Sequence, residues 1–440
     1  MRSAAASSSS SGPDPEAGRP MAAVDAQMLL LSAKIANDQF ALFAFDGAPD
    51  DLGAAVGQLR YRAQPCADLC LRVADEHPWR YPRWVPGPIT AEQFIVHAGT
   101  AGDWQSCLDR VSQLAEQQLD ASQMCWRVHI FPDVTDVPGA SAATSVVVVV
   151  QIAHALGDGT RSAELAGVLL GRRGPIRTVA DSGSGHFVWR AGAAARAHRR
   201  LVRDTRAELL APPTPPVSAL GINSGSRGPS VLRTIAVDRT LLTGHSVTVA
   251  ALVAVGEALS GYLEARGEDI SSLSAEVPMA TGVLASPLAH NNFRNVSVAL
   301  HPESGRVRRA EQIRGQLDDH RRRGEHPAAK ASAAAFDAVP AWLLRWGMSR
   351  FDPAARSSTV TGHTVVSSIN RGPADLCFGG RPVILTAGYP ALSPMMALTH
   401  GVHGIGTTIA VSVHADATVI DVDDYIGRLH EALVARPRAL

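Results

Sequence analysis

The segment VVVVVQIAHALGDGTRSAEL, Val146 to Leu165, constrains this chain more than any other. Five consecutive valines are β-branched, which restricts χ1 and suits a pleated, packed surface. An apolar run without polar alternation fits a strand covered on both faces. That strand ends in His154. Asp158 and Gly159 follow at once, and RSAELAGVLLG then reads as a helix. A strand buried along its length holds its last side chain rigidly, as a catalytic base requires, and imidazole accepts a proton near neutral pH. Gly159 lets the backbone turn where a Cβ would clash. Thr160 can cap the helix. Asp158 can hydrogen-bond the imidazole or pair with an arginine and brace the loop. The pattern His-x-x-x-Asp-Gly is weak by itself among 16 histidines, and its weight comes from the strand before it and the helix after it.

The 440 residues, 46% hydrophobic and 19% charged, can bury a core of two or three ordinary domains or one large two-lobed one. A formal net charge of +0 argues against a nucleic-acid binder. Only Lys34 and Lys330 are lysines; the remaining basic residues are arginine, which reads as codon bias. The five cysteines form no CxxC, which fits a reduced, cytoplasmic compartment. No segment reaches the roughly 18 consecutive apolar residues of a membrane-spanning helix. Residues 1–22 read as a disordered tail without the apolar core of a secretory signal.

Strand and helix patterns then alternate in two halves. Residues 23–172 form the first. Residues 173–228 change character: WRAGAAARAHRRLVRDTRAELL is a basic helix, followed by the Pro/Gly/Ser-rich APPTPPVSALGINSGSRGP, a crossover linker. Residues 229–440 resume the alternation with VLRTIAVDRTLL as a strand, the long helix from Val247, and strands at HTVVSSIN, RPVILTAGY, GIGTTIAVSVHAD and TVIDVDD. The expectation is two α/β lobes with a cleft between them.

AHALGDG resembles the HHxxxDG motif of the CoA-dependent acyltransferase and condensation-domain superfamily. It resembles more closely the bacterial wax ester synthase/diacylglycerol acyltransferase family. VDAQMLLL is similar to that family's N-terminal opening, and LDASQMCWRVHIF to the approach to its motif. VTVAALVAVGEALSGYL resembles its second-lobe helix. AEVPMATGV, NNFRNVSVALHP and VVSSINRGPADLCFGGRPV resemble later stretches. The resemblance implies two acyltransferase-like lobes with mixed sheets around a central tunnel. It implies transfer of a fatty acyl group from acyl-CoA to a lipid alcohol or diacylglycerol, with His154 as general base and Asp158 and Gly159 as structural support. Arg227 and Arg294 are candidate partners of Asp158. His290 and Asn292 are candidate substrate contacts near the cleft. No metal and no cofactor is needed beyond the CoA thioester substrate, and apolar substrates imply peripheral contact with a membrane or lipid droplet. The alternatives are a non-catalytic lipid- or partner-binding member of the fold, or a condensation-type enzyme taking its acyl group from a carrier-protein thioester.

The chain departs from the family pattern at specific places. Ala153 stands for the first motif histidine, Thr248-Val249 for an Asn-Asp pair, and Ser368-Ile369-Asn370-Arg371-Gly372-Pro373 for a Ser-Asn-Val-Pro-Gly-Pro loop. These departures mark a divergent member. His400 and His403, as HGVH, have the residue types of a metal pair but lack a third ligand nearby.

Overall fold

The computed structural model describes residues 18–99, 102–180, 186–225, 228–242, 244–281 and 288–435. The valine run forms the strand Ser145–Ile152, every residue of which is buried. It lies between Gln39–Phe45 and Trp126–Val134, antiparallel to both. Covered at both edges and on both faces, it has no position where a polar side chain would reach water, except that Gln151 enters a buried hydrogen-bond network. The first six-stranded sheet runs Cys377–Phe378, Arg381–Gly388, Gln39–Phe45, Ser145–Ile152, Trp126–Val134, Phe94–Val96. The second runs Phe293–Ala299, Ser274–Ala280, Thr364–Asn370, Leu398–Ile405, Thr408–Asp416, Ser230–Asp238. Both mix parallel and antiparallel pairs.

Ten α-helices accompany the sheets among the described residues: α1 (Ala23–Ser32), α2 (Leu52–Ala63), α3 (Trp104–Ala115), α4 (Gly159–Leu169), α5 (Phe187–Arg206), α6 (Val247–Glu264), α7 (Arg306–Glu325), α8 (Pro327–Phe336), α9 (Ala341–Ser349) and α10 (Val422–Val434). Helix α6 has the length and composition of a membrane-crossing helix, but it is mostly buried, packed against α7 and α10 as the core helix of the second lobe. The basic helix α5 buries none of its residues and packs on α8, with Arg190 donating to the Ala334 carbonyl.

The architecture is the expected mixed α/β fold of two lobes, with four differences of detail. Residues 18–22, expected in the tail, are held in place: Arg19–Pro20 pairs with Arg83–Trp84, and Met21 is 1% exposed. The strand Arg381–Gly388, from the second half of the chain, joins the first sheet beside Gln39–Phe45 and straps the lobes together. GIGTTIAVSVHAD is one arm of a hairpin whose other arm is Leu398–Ile405. TVIDVDD, read as a strand, is instead a turn leading to Asp421, which caps α10 by accepting from the Asp424 N–H.

Candidate active site

The strand Ser145–Ile152 delivers Ala153 and then His154, the first residue of a short 3₁₀ turn. Ala153 is 3% exposed and packs in the core. His154 lines a cavity of about 430 Å³ between the lobes. One wall is α1, with Met28 and Leu31, and Ile35 just after it; the strand of Phe40 and Ala41 forms the floor; Phe293, Val365 and Ile369 come from the second lobe. Most of this lining is apolar, as in ligand sites generally. The His154 ring lies 5.6 Å from that of Phe293.

The orientation of His154 is set by two residues, Asn291 and Asp25, whose role toward it the sequence does not show. Its Nδ1 is 3.0 Å from Asn291 Oδ1. The Asn291 amide nitrogen donates to Asp25 Oδ1 and to the His154 carbonyl, both at 2.9 Å. Asp25, 0% exposed, also accepts from the backbone N–H groups of His290 and Asn291. A backbone N–H can only donate, so the Asp25 carboxylate accepts, and the amide NH₂ must face it. Asn291 Oδ1 therefore faces the imidazole, and Nδ1 must carry the proton. That leaves Nε2 unprotonated, the ring nitrogen available to the cavity. Burial holds the His154 pKa below its ordinary value, opposed by the Asn291 hydrogen bond and the charges of Asp158 and Asp25, so the ring is a neutral base at pH 7. Asp25 lies in the first turn of α1, which begins two residues earlier, and ties that helix to the second lobe.

Among the described residues, Asp158 hydrogen-bonds neither the imidazole nor an arginine side chain. Its Oδ1 caps α4 by accepting from Arg161 N at 3.0 Å, displacing Thr160 from that role. Its Oδ2 accepts from Asn292 N at 2.7 Å. One carboxylate thus joins the helix after the motif to the second lobe, and its charge favours the first turn of α4. Arg294 donates to the His320 carbonyl instead, and Arg227 lies outside the described residues. Gly159 is needed for space rather than for a turn: a Cβ there would sit 2.3 Å from Ile369 Cδ1.

Asn292 lines the cavity, with its side-chain nitrogen donating to the Ala289 carbonyl. His290 does not. It is 0% exposed and lies behind the wall, with Arg19 donating to its Nε2 and its own Nδ1 3.1 Å from Asp25. The expectation of a substrate contact at His290 is therefore corrected: a fully engaged ring sealed from the cavity serves the lobe junction. Thr248, at the first position of the replaced Asn-Asp pair, donates to Ser368 Oγ at 3.0 Å, and Val249 is core. His400 and His403 sit three apart on one strand and so face opposite sides. His400 bonds Tyr425 in the helix layer, while His403 lines the cavity.

Residues 291–435 match the WS/DGAT C-terminal domain. No curated protein matches the chain by sequence. Among solved structures, the wax ester synthase/diacylglycerol acyltransferase of Marinobacter aquaeolei VT8 is 16% identical with a TM-score of 0.58, over 94% of this chain and 98% of that one. The first condensation domain of the calcium-dependent antibiotic synthetase is 15% identical with a TM-score of 0.58, over 96% and 95% of the two chains. The starter condensation domain of rhizomide synthetase, a mutant solved with C8-CoA and Leu-SNAC, is 13% identical with a TM-score of 0.55, over 94% and 93%. The last third of the chain thus matches the WS/DGAT C-terminal domain, and nearly its whole length shares the two-lobed fold of a wax ester synthase/diacylglycerol acyltransferase and of condensation domains.

Proposed function

We propose that the protein is an acyl-CoA-dependent O-acyltransferase that moves a fatty acyl group onto a lipid alcohol or diacylglycerol. The observation that carries this reading is the clamp on His154: Asn291 holds the proton on Nδ1 and leaves Nε2 as a neutral base beside an apolar cavity. In the reaction, Nε2 takes the proton of the acceptor hydroxyl as its oxygen attacks the thioester carbonyl. The tetrahedral oxyanion collapses, the C–S bond breaks, and the imidazolium returns the proton to the CoA sulfur. The Asn291 carbonyl, already bonded to Nδ1–H, and the nearby carboxylates of Asp25 and Asp158 stabilise the imidazolium between these steps. Apolar walls limit water, the competing acceptor. The relative from Marinobacter bears the name of this activity, and a condensation-domain relative was solved with C8-CoA, which supports acyl-CoA as donor.

Lipid substrates reach such a cavity from a membrane or droplet, and we place the protein in the cytoplasm in peripheral contact with one. Trp79, Trp342 and Trp346 are 76%, 51% and 56% exposed. Arg345 binds Asp75 and the Arg80 carbonyl, holding the Trp79 loop against α9. Helix α9 packs on α1, whose inner side walls the cavity. Exposed tryptophans beside basic residues suit the interfacial region of a bilayer.

The test is an acyl-transfer assay with long-chain acyl-CoA and hexadecanol or diacylglycerol, comparing wild type with His154→Ala. Ester formation should fall by about 10²–10⁴-fold in the variant, the contribution of a general base. Undiminished transfer would remove His154 from the chemistry.

A further inference from the structure

The same cavity contains a cation that no carboxylate among the described residues pairs with. Arg371 lines it and is 5% exposed, yet its Nε and Nη1 are buried without a hydrogen bond. The guanidinium lies 5.1 Å from the centre of the Phe43 ring. Its backbone is fixed: Arg371 N donates to the Gly404 carbonyl, and its own carbonyl accepts from Arg172. Two carboxylates share the cavity wall, and both are engaged elsewhere. Asp38 accepts from Leu119 N and Gln151, and Asp158 accepts from Arg161 N and Asn292 N. Beside Arg371 is His403, 3% exposed, whose Nδ1 also lacks a partner. Two glycines make the space. A Cβ on Gly388 would stand 2.8 Å from His403 Nε2 and 2.9 Å from Arg371 Nη2, and one on Gly401 would stand 2.7 Å from His403 Cε1.

A buried, unpaired guanidinium is costly, and its planar fork of donors matches a carboxylate or phosphate. We infer that Arg371, with His403, forms an anion subsite in the cavity: one substrate carries a carboxylate or phosphate group that this guanidinium receives. The inference refines the acyl-transfer reading and rests on it for the word substrate. A purely neutral pair of lipid chain and lipid alcohol would leave Arg371 uncompensated. Arg371 stands in the loop where the family pattern has no cation, so the subsite belongs to this chain rather than to the general fold.

Titration calorimetry of the full chain tests this with three probes: tetradecanoate, tetradecanol and free coenzyme A. Arg371→Leu should weaken one of the two anionic probes by about tenfold or more, as expected for a lost charge-assisted contact, and leave tetradecanol unchanged. Arg371→Lys should retain part of that affinity. A loss confined to tetradecanoate assigns the anion to a carboxylate on the acyl or acceptor side; a loss confined to coenzyme A assigns it to the donor's phosphates. Equal affinities in wild type and Arg371→Leu for both anions, or no binding of either, would overturn the subsite. Removing an unpaired buried charge should leave the melting temperature unchanged or raise it, which checks the fold of the leucine variant; if that variant does not fold, the lysine variant decides. None of these readouts requires turnover, so failure of the subsite and failure of acyl transfer are separate results.

Discussion

Replacing Asn291 by leucine keeps the side-chain size and removes the amide that fixes His154. Two losses follow. The imidazole becomes free to exchange its proton between nitrogens and to rotate, because its only partner at Nδ1 is the Asn291 oxygen among the described contacts. In an enzyme where a buried carboxylate holds a catalytic histidine, forcing the wrong tautomer costs about 10⁴-fold. A neutral amide binds less strongly than a carboxylate, so about 10²–10³-fold in kcat is the expected loss, roughly 3–4 kcal/mol of barrier. Stability falls as well. Asp25 keeps three of its four donors: the backbone N–H groups of residues 290 and 291 and the His290 ring. One missing partner on a buried carboxylate costs about 1–3 kcal/mol. The two effects separate by assay. Acyl transfer against pH gives kcat/KM and its acid limb. Burial lowers the His154 pKa and the Asn291 bond raises it, so the limb should lie below pH 6.5 in wild type and move lower still in the variant. Imidazole ¹⁵N spectra should show a protonated Nδ1 in wild type and mixed tautomers in Asn291→Leu. A variant that loses stability but keeps its rate, pH limb and tautomer would refute the argument.

Three further outcomes follow from particular contacts. Burial raises the Asp38 pKa to about 6 from 3.8, so ionised Asp38 lowers stability as pH rises through that window. Asp38→Asn keeps an acceptor for Leu119 N and Gln151, and urea unfolding should show it more stable at pH 8 by up to about 3 kcal/mol, with no gain near pH 4. Gly159→Ala should cost about 1–3 kcal/mol through its clash with Ile369 Cδ1, and Ile369→Val, which deletes that atom, should restore most of it in a double-mutant cycle; additive losses would mean that the contact is not the cause. Trp342→Ser with Trp346→Ser should weaken sedimentation with anionic vesicles without lowering thermal stability, since both rings are half exposed or more, and unchanged binding would move the membrane contact elsewhere.

Local signals in this chain were strong where the cause was local. Five valines specify a strand buried on both faces wherever they are placed, and a residue immediately after it is held rigidly, so His154 could be singled out from the residues alone. Helical spacing likewise located α6. The short Ala-rich helix α8 and the strand Leu398–Ile405 were missed because neither has a distinctive period: six of the ten residues of the helix are alanine, and the strand is broken by glycines that only its neighbours require.

The partners of His154 could not be read in the same way. Asp25 lies 266 residues from Asn291, and each looks ordinary in its own segment: one an acid in a first helical turn, the other in an Asn pair. Their meaning arises only when α1 and the second lobe meet. The same holds for Asp158, whose donor is a backbone N–H 134 residues away, and for His290, a candidate ligand by position and a sealed junction by contact. Residue type and spacing determined that this chain would bury a strand ending in a base. Which atoms hold that base, which nitrogen stays free, and where an unpaired arginine faces the cavity were decided by contacts between distant segments, because hydrogen-bond direction and burial exist only once those segments are packed.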